Sequence, residues 1–183
     1  PMDISSTEYD CTAGELLPVV AYGYVDPMAR TIARIVFATD QGLHECVSTD
    51  EGVSWSTPTG VTGTTSTSTR PSLAMSQGHE ILAWRDYNST TGVASIHYRI
   101  DGGNAIDLTG QIKDKLFDHA TPCVDIAGNY AQIVWVAKIK EMDTEGNLKR
   151  HQKACHVMLD LSTGITSNVF QFFNRKYDRD EAS

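Results

Sequence analysis

Short apolar runs rich in Val, Ile, Tyr, Phe and Trp recur along the chain, most of them bounded by Gly, Asp, Asn or Pro. They cover residues 16–25, Ala33–Asp40, His44–Asp50, Arg70–Ser76, Glu80–Asp86, Ala94–Asp101, Thr121–Ala127, Ala131–Ile139, Ala154–Leu161 and Asn168–Phe173. Branched and aromatic side chains suit a pleated, half-buried surface, so each run predicts a β-strand. No long amphipathic helix is visible. Only Gly110–Ala120 (GQIKDKLFDHA) has helical character, and it predicts a turn or two of helix on a connection. The Ser/Thr/Gly-rich stretch Ser56–Thr69 has little apolar surface to bury and predicts a long exposed loop. The fold class read from this pattern is all-β.

The runs also repeat. A Pro-led strand (Pro18, Pro71, Pro122) precedes a strand holding an aromatic residue (Phe37, Trp84, Trp135), and a third strand follows, ending in an Asp/Gly turn. Pro18 and Pro71 are 53 residues apart, Pro71 and Pro122 are 51 apart, and Trp84 and Trp135 are again 51 apart. A unit of about 50 residues with three strands and a weaker fourth cannot bury both of its faces alone, so it demands neighbours. This predicts a β-propeller-type repeat of about three four-stranded blades within one β-repeat domain over 1–183. The blades fall near 15–59, 69–108 and 119–173. Each sequence feature except the period also fits a β-sandwich or jelly roll, which stays open as the alternative.

Composition narrows the partners. A formal net charge of −8 argues against a general nucleic-acid surface, which needs clustered Lys and Arg. Apolar runs such as IVFA and IVWVA are too short to cross a bilayer. The start PMDISSTEYD has neither a basic nor an apolar segment of the kind that marks a signal peptide. Cys11, Cys46, Cys123 and Cys155 lack paired C-x-x-C spacing and predict buried thiols, with a disulfide open only to an exported chain. Asn88-Ser89-Thr90 is a lone glycosylation sequon, which does not fix the compartment. Of the two His/Cys pairs, His44 and Cys46 stand two apart and share a strand face, whereas Cys155 and His156 are adjacent and point to opposite faces, so they cannot easily chelate together; no metal is expected. Phosphate-loop, serine-hydrolase and zinc-hydrolase motifs are absent from the sequence, and no cofactor is expected.

One short motif is sharper. Ser48-Thr49-Asp50-Glu51-Gly52-Val53-Ser54-Trp55 places Ser, Asp, Gly and Trp at fixed offsets after a strand. A carboxylate in a turn accepts backbone N–H groups, Gly permits positive φ, and Trp packs the turn onto its sheet. The octet resembles the Asp-box of the sialidase-like (BNR repeat) β-propellers. Arg99–Ile106 resembles a degenerate second copy, with Asp101 and Gly103 at the same offset and Ile106 where Trp belongs; Asp50 and Asp101 stand one repeat apart. Leu159–Gly164 departs from the pattern. The resemblance implies a hairpin between the third and fourth strands of a blade, with Asp50 structural rather than catalytic.

The same resemblance bears on activity. Enzymes of that family hold a sugar carboxylate with three arginines, and Arg70-Pro71-Ser72-Leu73 before Ile81–Asp86 is similar in outline to the first of these sites. No second and third arginine with a Tyr/Glu pair can be assigned, and three blades are half of what those enzymes use. Glu141, Glu145 and Glu181 read as solvated charges in polar connections or the tail. No catalytic residue is therefore expected. The residues suited to a sugar or protein surface are Tyr24, Arg70, Trp84, Arg85, Asp86 and Tyr87, with Tyr22 nearby: aromatic faces stack and Arg/Asp forks hydrogen-bond hydroxyls. The expectation is a non-catalytic recognition or assembly module that binds glycan or protein. Its expected setting is a homo-oligomer or a larger assembly such as a virus or phage particle, extracellular or on the virion surface. The alternative is part of a sialidase-type glycoside hydrolase completed by another chain.

Overall fold

The structure is a computed structural model that describes residues 18–24, 31–109, 116–119, 121–142 and 144–176. These residues are strands and their connections, with no α-helix among them, and so no helix long and apolar enough to cross a membrane. The first sheet runs β1 (Val19–Tyr24), β2 (Thr31–Thr39), β3 (Gly42–Ser48) and β4 (Thr59–Gly60) in that order. The second repeats the antiparallel meander with β5 (Ser68–Ser76), β6 (His79–Asn88), β7 (Val93–Ile100) and β8 (Ile106–Asp107). The third follows the same path through β10 (Cys123–Ala127), β11 (Tyr130–Met142), β12 (Leu148–Asp160) and β13 (Ile165–Thr166). Two further strands extend it: β9 (Leu116–His119) pairs with β11, and β14 (Phe170–Lys176) pairs with β12.

The register shows what the repeating prolines do. Val19 pairs with Val36, Ser72 with Ala83 and Cys123 with Val134, so Pro18, Pro71 and Pro122 each fall opposite the aromatic of the next strand, Phe37, Trp84 and Trp135. Proline has no N–H to give a ladder, and at all three positions the pairing is interrupted or begins. In the second sheet a bulge sets Arg70 and Pro71 against the single residue Trp84, since the flanking pairs are Thr69 with Arg85 and Ser72 with Ala83. The third strand aligns too: Phe37 pairs with His44, Trp84 with His97 and Trp135 with Cys155.

Faces follow the same rule. On β6, Leu82 and Trp84 pack on Val36, Ala38, Leu43 and Val61 of the first sheet, while Ile81 and Ala83 pack toward the third. On β11, Ile133 and Trp135 join the core shared with the second sheet. Trp84 and Trp135 thus lie on what we term the upstream face, turned toward the preceding sheet; Phe37 has the same position by register on the first sheet, and alternate residues form the downstream face. The innermost strands meet closely: a Cβ added to Gly23 on β1 would lie 2.8 Å from the Met75 carbonyl oxygen on β5. Val124 N–H on β10 donates to Ser72 Oγ on β5 at 3.1 Å.

Four expectations change. Within Gly110–Ala120, Leu116–His119 is strand β9 rather than helix, because it extends the edge of β11; the rest of that segment lies outside the described residues. The Ser56–Thr69 stretch is not simply an exposed loop. It holds β4, buries Val61 and Ser68, and uses hydroxyls to satisfy backbone: Thr64 Oγ1 accepts from Leu43 N–H at 3.2 Å and donates to the Val61 carbonyl at 2.8 Å. Glu141 is in β11 rather than a connection, since the β11–β12 hairpin is 13 residues long on each side. Finally, Cys46 and Cys155 are buried thiols but Cys123 is exposed, because its neighbour Val124 takes the inward position on β10; Cys11 lies outside the described residues.

Candidate functional site

The Ser48–Trp55 turn is built from its own side chains. Glu51 (φ 61°) and Gly52 (φ 86°) are successive left-handed residues, and Val53 N–H closes the turn on the Asp50 carbonyl at 3.2 Å. Asp50 Oδ1 accepts from Ser48 Oγ at 2.7 Å and from Ser54 N–H at 2.9 Å, while Oδ2 accepts from Ser54 Oγ. Ser48 Oγ in turn accepts from Gly52 N–H at 2.9 Å. These bonds, those of Ser54 foremost, hold the Asp50 carboxyl down at about 2. Trp55 lies against the turn, its ring carbon Cζ2 3.8 Å from where a Cβ on Gly52 would sit.

The Asp101 turn is built differently. Its left-handed pair is Asp101 (φ 49°) and Gly102 (φ 70°), closed by Gly103 N–H on the Ile100 carbonyl at 2.8 Å, so the turn slides back by one residue. Asp101 reaches across to the start of β6, accepting from Glu80 N–H at 2.7 Å and contacting His79 Nδ1 at 2.8 Å. The segment that departs from the motif in sequence, Leu159–Gly164, carries the closer functional likeness to the Asp50 turn. Asp160 Oδ1 accepts both Ser162 N–H and Ser162 Oγ, which lowers its pKa. Behind each turn a serine clamps the third strand in the same way: Ser56 on Val47 and Ser167 on Met158, through N–H to carbonyl at 2.8 Å and strand N–H to Oγ at 3.0 Å.

The recognition candidates gather at the opposite end of the second sheet, where β5 begins and β6 ends, but they do not form one group. Trp84 is fully buried, with its indole N–H donating to Asp86 Oδ2 at 3.1 Å and its ring stacked on His97 at 5.8 Å. It offers no face to a ligand, because the upstream face of β6 is covered by the first sheet. Asp86 Oδ1 accepts from Ser68 Oγ at 2.6 Å and Oδ2 lies 3.7 Å from His97 Nε2, itself 2.9 Å from Ser95 Oγ. Asp86 therefore locks β5 to β6 and β7. Arg85 and Tyr87 point to the other face, where the guanidinium sits 5.4 Å from the centre of the exposed Tyr87 ring. Arg70 occupies the bulge with φ 53°, an uncommon backbone for a non-glycine residue. Tyr22 is exposed on β1, and the side chain of Tyr24 lies outside the described residues.

Sequence reading missed a second cluster altogether. Between the first and second sheets, Arg34 Nη1 lies 2.9 Å from Glu45 and 3.0 Å from Glu80, and Arg99 Nη2 lies 3.1 Å from Glu45 and 3.8 Å from Glu80. Glu80 is 2% and Arg99 4% exposed. Burial pushes the Glu80 carboxyl up despite the two guanidinium groups beside it. Alternation on four separate strands brings these charges together, a signal that no local motif carries. Among the described residues no group of three or more His, Cys, Asp or Glu is placed to hold a metal ion. Compared with known proteins, the chain matches no family model and no curated sequence.

Proposed function

We propose that the chain is a propeller-type module for recognition and assembly rather than catalysis, an attachment or structural component of a larger particle such as a virion. The observation that carries the reading is the stacking itself. Three meander sheets repeat one Pro–aromatic register, the second and third turn their aromatic faces toward the preceding sheet, and the last exposes Val134, Val136 and Met158. Face-to-face packing of successive meander sheets is also the way a propeller blade buries surfaces it cannot bury alone. The resemblance of the Asp50 turn to the Asp-box supports the same architecture. Recognition is assigned to the Arg85–Tyr87 pair, a cation and an exposed ring that suit a sugar face or an acidic group. Asp86, the one carboxylate among the recognition candidates, is engaged inside the sheet, which favours binding over acid–base chemistry.

A glycan array combined with a fluorogenic sialoside assay tests this. Saturable binding without turnover, weakened by Tyr87→Ala, is expected. Turnover abolished by Arg70→Ala would establish the glycosidase instead.

A further inference from the structure

The net charge of −8 hides a local reversal of sign. Segments 138–153 and 170–176, the hairpin end of β11 and β12 with β14 beside it, hold seven Lys and Arg residues against three acidic ones. Register sorts these charges by side. Alternation from Val134 and Val136 places Lys138, Lys140 and Met142 on the downstream side of β11, and their β12 partners are Gln152, Arg150 and Leu148. Asp118 of β9 stands opposite Lys138, but Lys140 and Arg150 stand opposite each other, and Arg175 of β14 stands opposite Gln152. On the upstream side the same hairpin matches Glu141 with Lys149. Like charges directly opposite one another destabilise a sheet, so the downstream side carries a cost that an anionic partner would relieve.

The same side continues as an open apolar surface. Val134, Val136, Met158 and Phe170 are each more than a third exposed, and Gln152, which joins them to the basic end, is exposed as well. We propose that the downstream face of the third sheet docks on an anionic phospholipid surface, its basic end against the headgroups and its apolar end entering the boundary between headgroups and acyl chains. Charge complementarity selects the sign of the partner, since the cations are concentrated here while the chain as a whole is acidic. The apolar residues select its kind. A nucleic acid or a sulfated glycan would engage the cations and leave Val134, Val136 and Phe170 in water, whereas a lipid surface takes up both. The Arg85–Tyr87 pair lies on the second sheet and takes no part in this contact.

Flotation of the purified chain with vesicles, in about 0.1 M salt so that surface charge is not fully screened, tests this. Binding is expected to vesicles of phosphatidylcholine mixed with phosphatidylserine and not to phosphatidylcholine alone. A basic residue at an anionic membrane is worth about a fivefold change in partitioning, so Lys140→Gln/Arg150→Gln is expected to weaken binding about 25-fold. Val134→Ser/Phe170→Ser, at exposed positions, is expected to weaken it at least about tenfold. Both variants should keep the β-sheet circular dichroism; Lys140→Gln/Arg175→Gln serves should the first charge variant fail to fold. A wild type that ignores the anionic vesicles overturns the proposal. So does binding that the charge variant weakens and Val134→Ser/Phe170→Ser leaves unchanged, which would mark the basic end as a site for a soluble polyanion. Glycan binding by these variants is expected to match the wild type, so failure here is distinguishable from failure of the Arg85–Tyr87 reading.

Discussion

Replacing Arg99 by Met removes one cation from the four-charge cluster while keeping most of the side-chain volume. The Arg99 guanidinium lies 3.1 Å from Glu45 and 3.8 Å from Glu80, distances that correspond to gross attractions of about 5 and 4 kcal/mol at an effective dielectric of about 20. Desolvating a charged group costs several kcal/mol, and removing one partner of a buried pair typically costs about 3–5 kcal/mol net. Arg99→Met is therefore expected to destabilise the chain by about 3–5 kcal/mol, since Glu80, 2% exposed, is left with Arg34 alone. Glu80→Gln should cost far less, because burial already disfavours the charged carboxylate there. The pH dependence has a definite sign. A carboxyl whose pKa is raised by folding adds stability below its unfolded value, and that contribution is lost as pH rises through the folded value. Wild-type stability should thus fall across that acid window through Glu80, and Glu80→Gln should remove this component. Urea denaturation of wild type, the two single variants and the Glu80→Gln/Arg99→Met double variant, repeated across pH, measures all of it. If Arg99→Met costs under about 1 kcal/mol, or if the two substitutions simply add, the cluster is not the coupled buried unit argued from the distances.

Three further outcomes are expected. Carbon-detected NMR titration of Asp50 should give a midpoint near 2, moving up toward the ordinary carboxylate range in Ser54→Ala; because this folded-state value is depressed, its contribution to stability holds above the unfolded value and disappears as pH falls toward 2. Gly23→Ala should lower the denaturation midpoint by an overpacking cost of about 1–3 kcal/mol, because its Cβ would press on the Met75 backbone. Trp84→Ala should cost about 3–5 kcal/mol and lose the fluorescence of a buried indole, while Tyr87→Ala, at an exposed ring, should leave thermal stability nearly unchanged.

The strands and their order were legible because alternation and branched residues write a strand directly into the chain. Branched runs such as Ile81–Trp84 and Ile133–Val136 fell inside strands, and the prolines marked the same register position in all three sheets. The Leu116–His119 strand was not legible, since the charges around it suggested a helix and its pairing partner lies far along the chain. Trp84, Arg85 and Asp86 illustrate the limit for sites. Their adjacency invited a shared role, yet strand alternation sends Arg85 to one face and its neighbours to the other, where Trp84 and Asp86 bond each other. Asp160 shows the converse: its turn does not fit the motif, but a serine two residues on supplies the N–H and O–H donors that Ser54 supplies to Asp50.

The repeat also has a built-in asymmetry. The positions of Glu80 and Arg99 on the second sheet correspond by register to Ala131 and Val157 on the third. Were the third sheet to stack on the first, Arg34 and Glu45 would face methyl groups and keep only each other. The ionic interface therefore favours the second sheet over the third as the neighbour of the first. Neighbour choice is thus encoded as a mismatch cost, which guards a chain of look-alike units against shuffled order and exchange of sheets between copies while it folds.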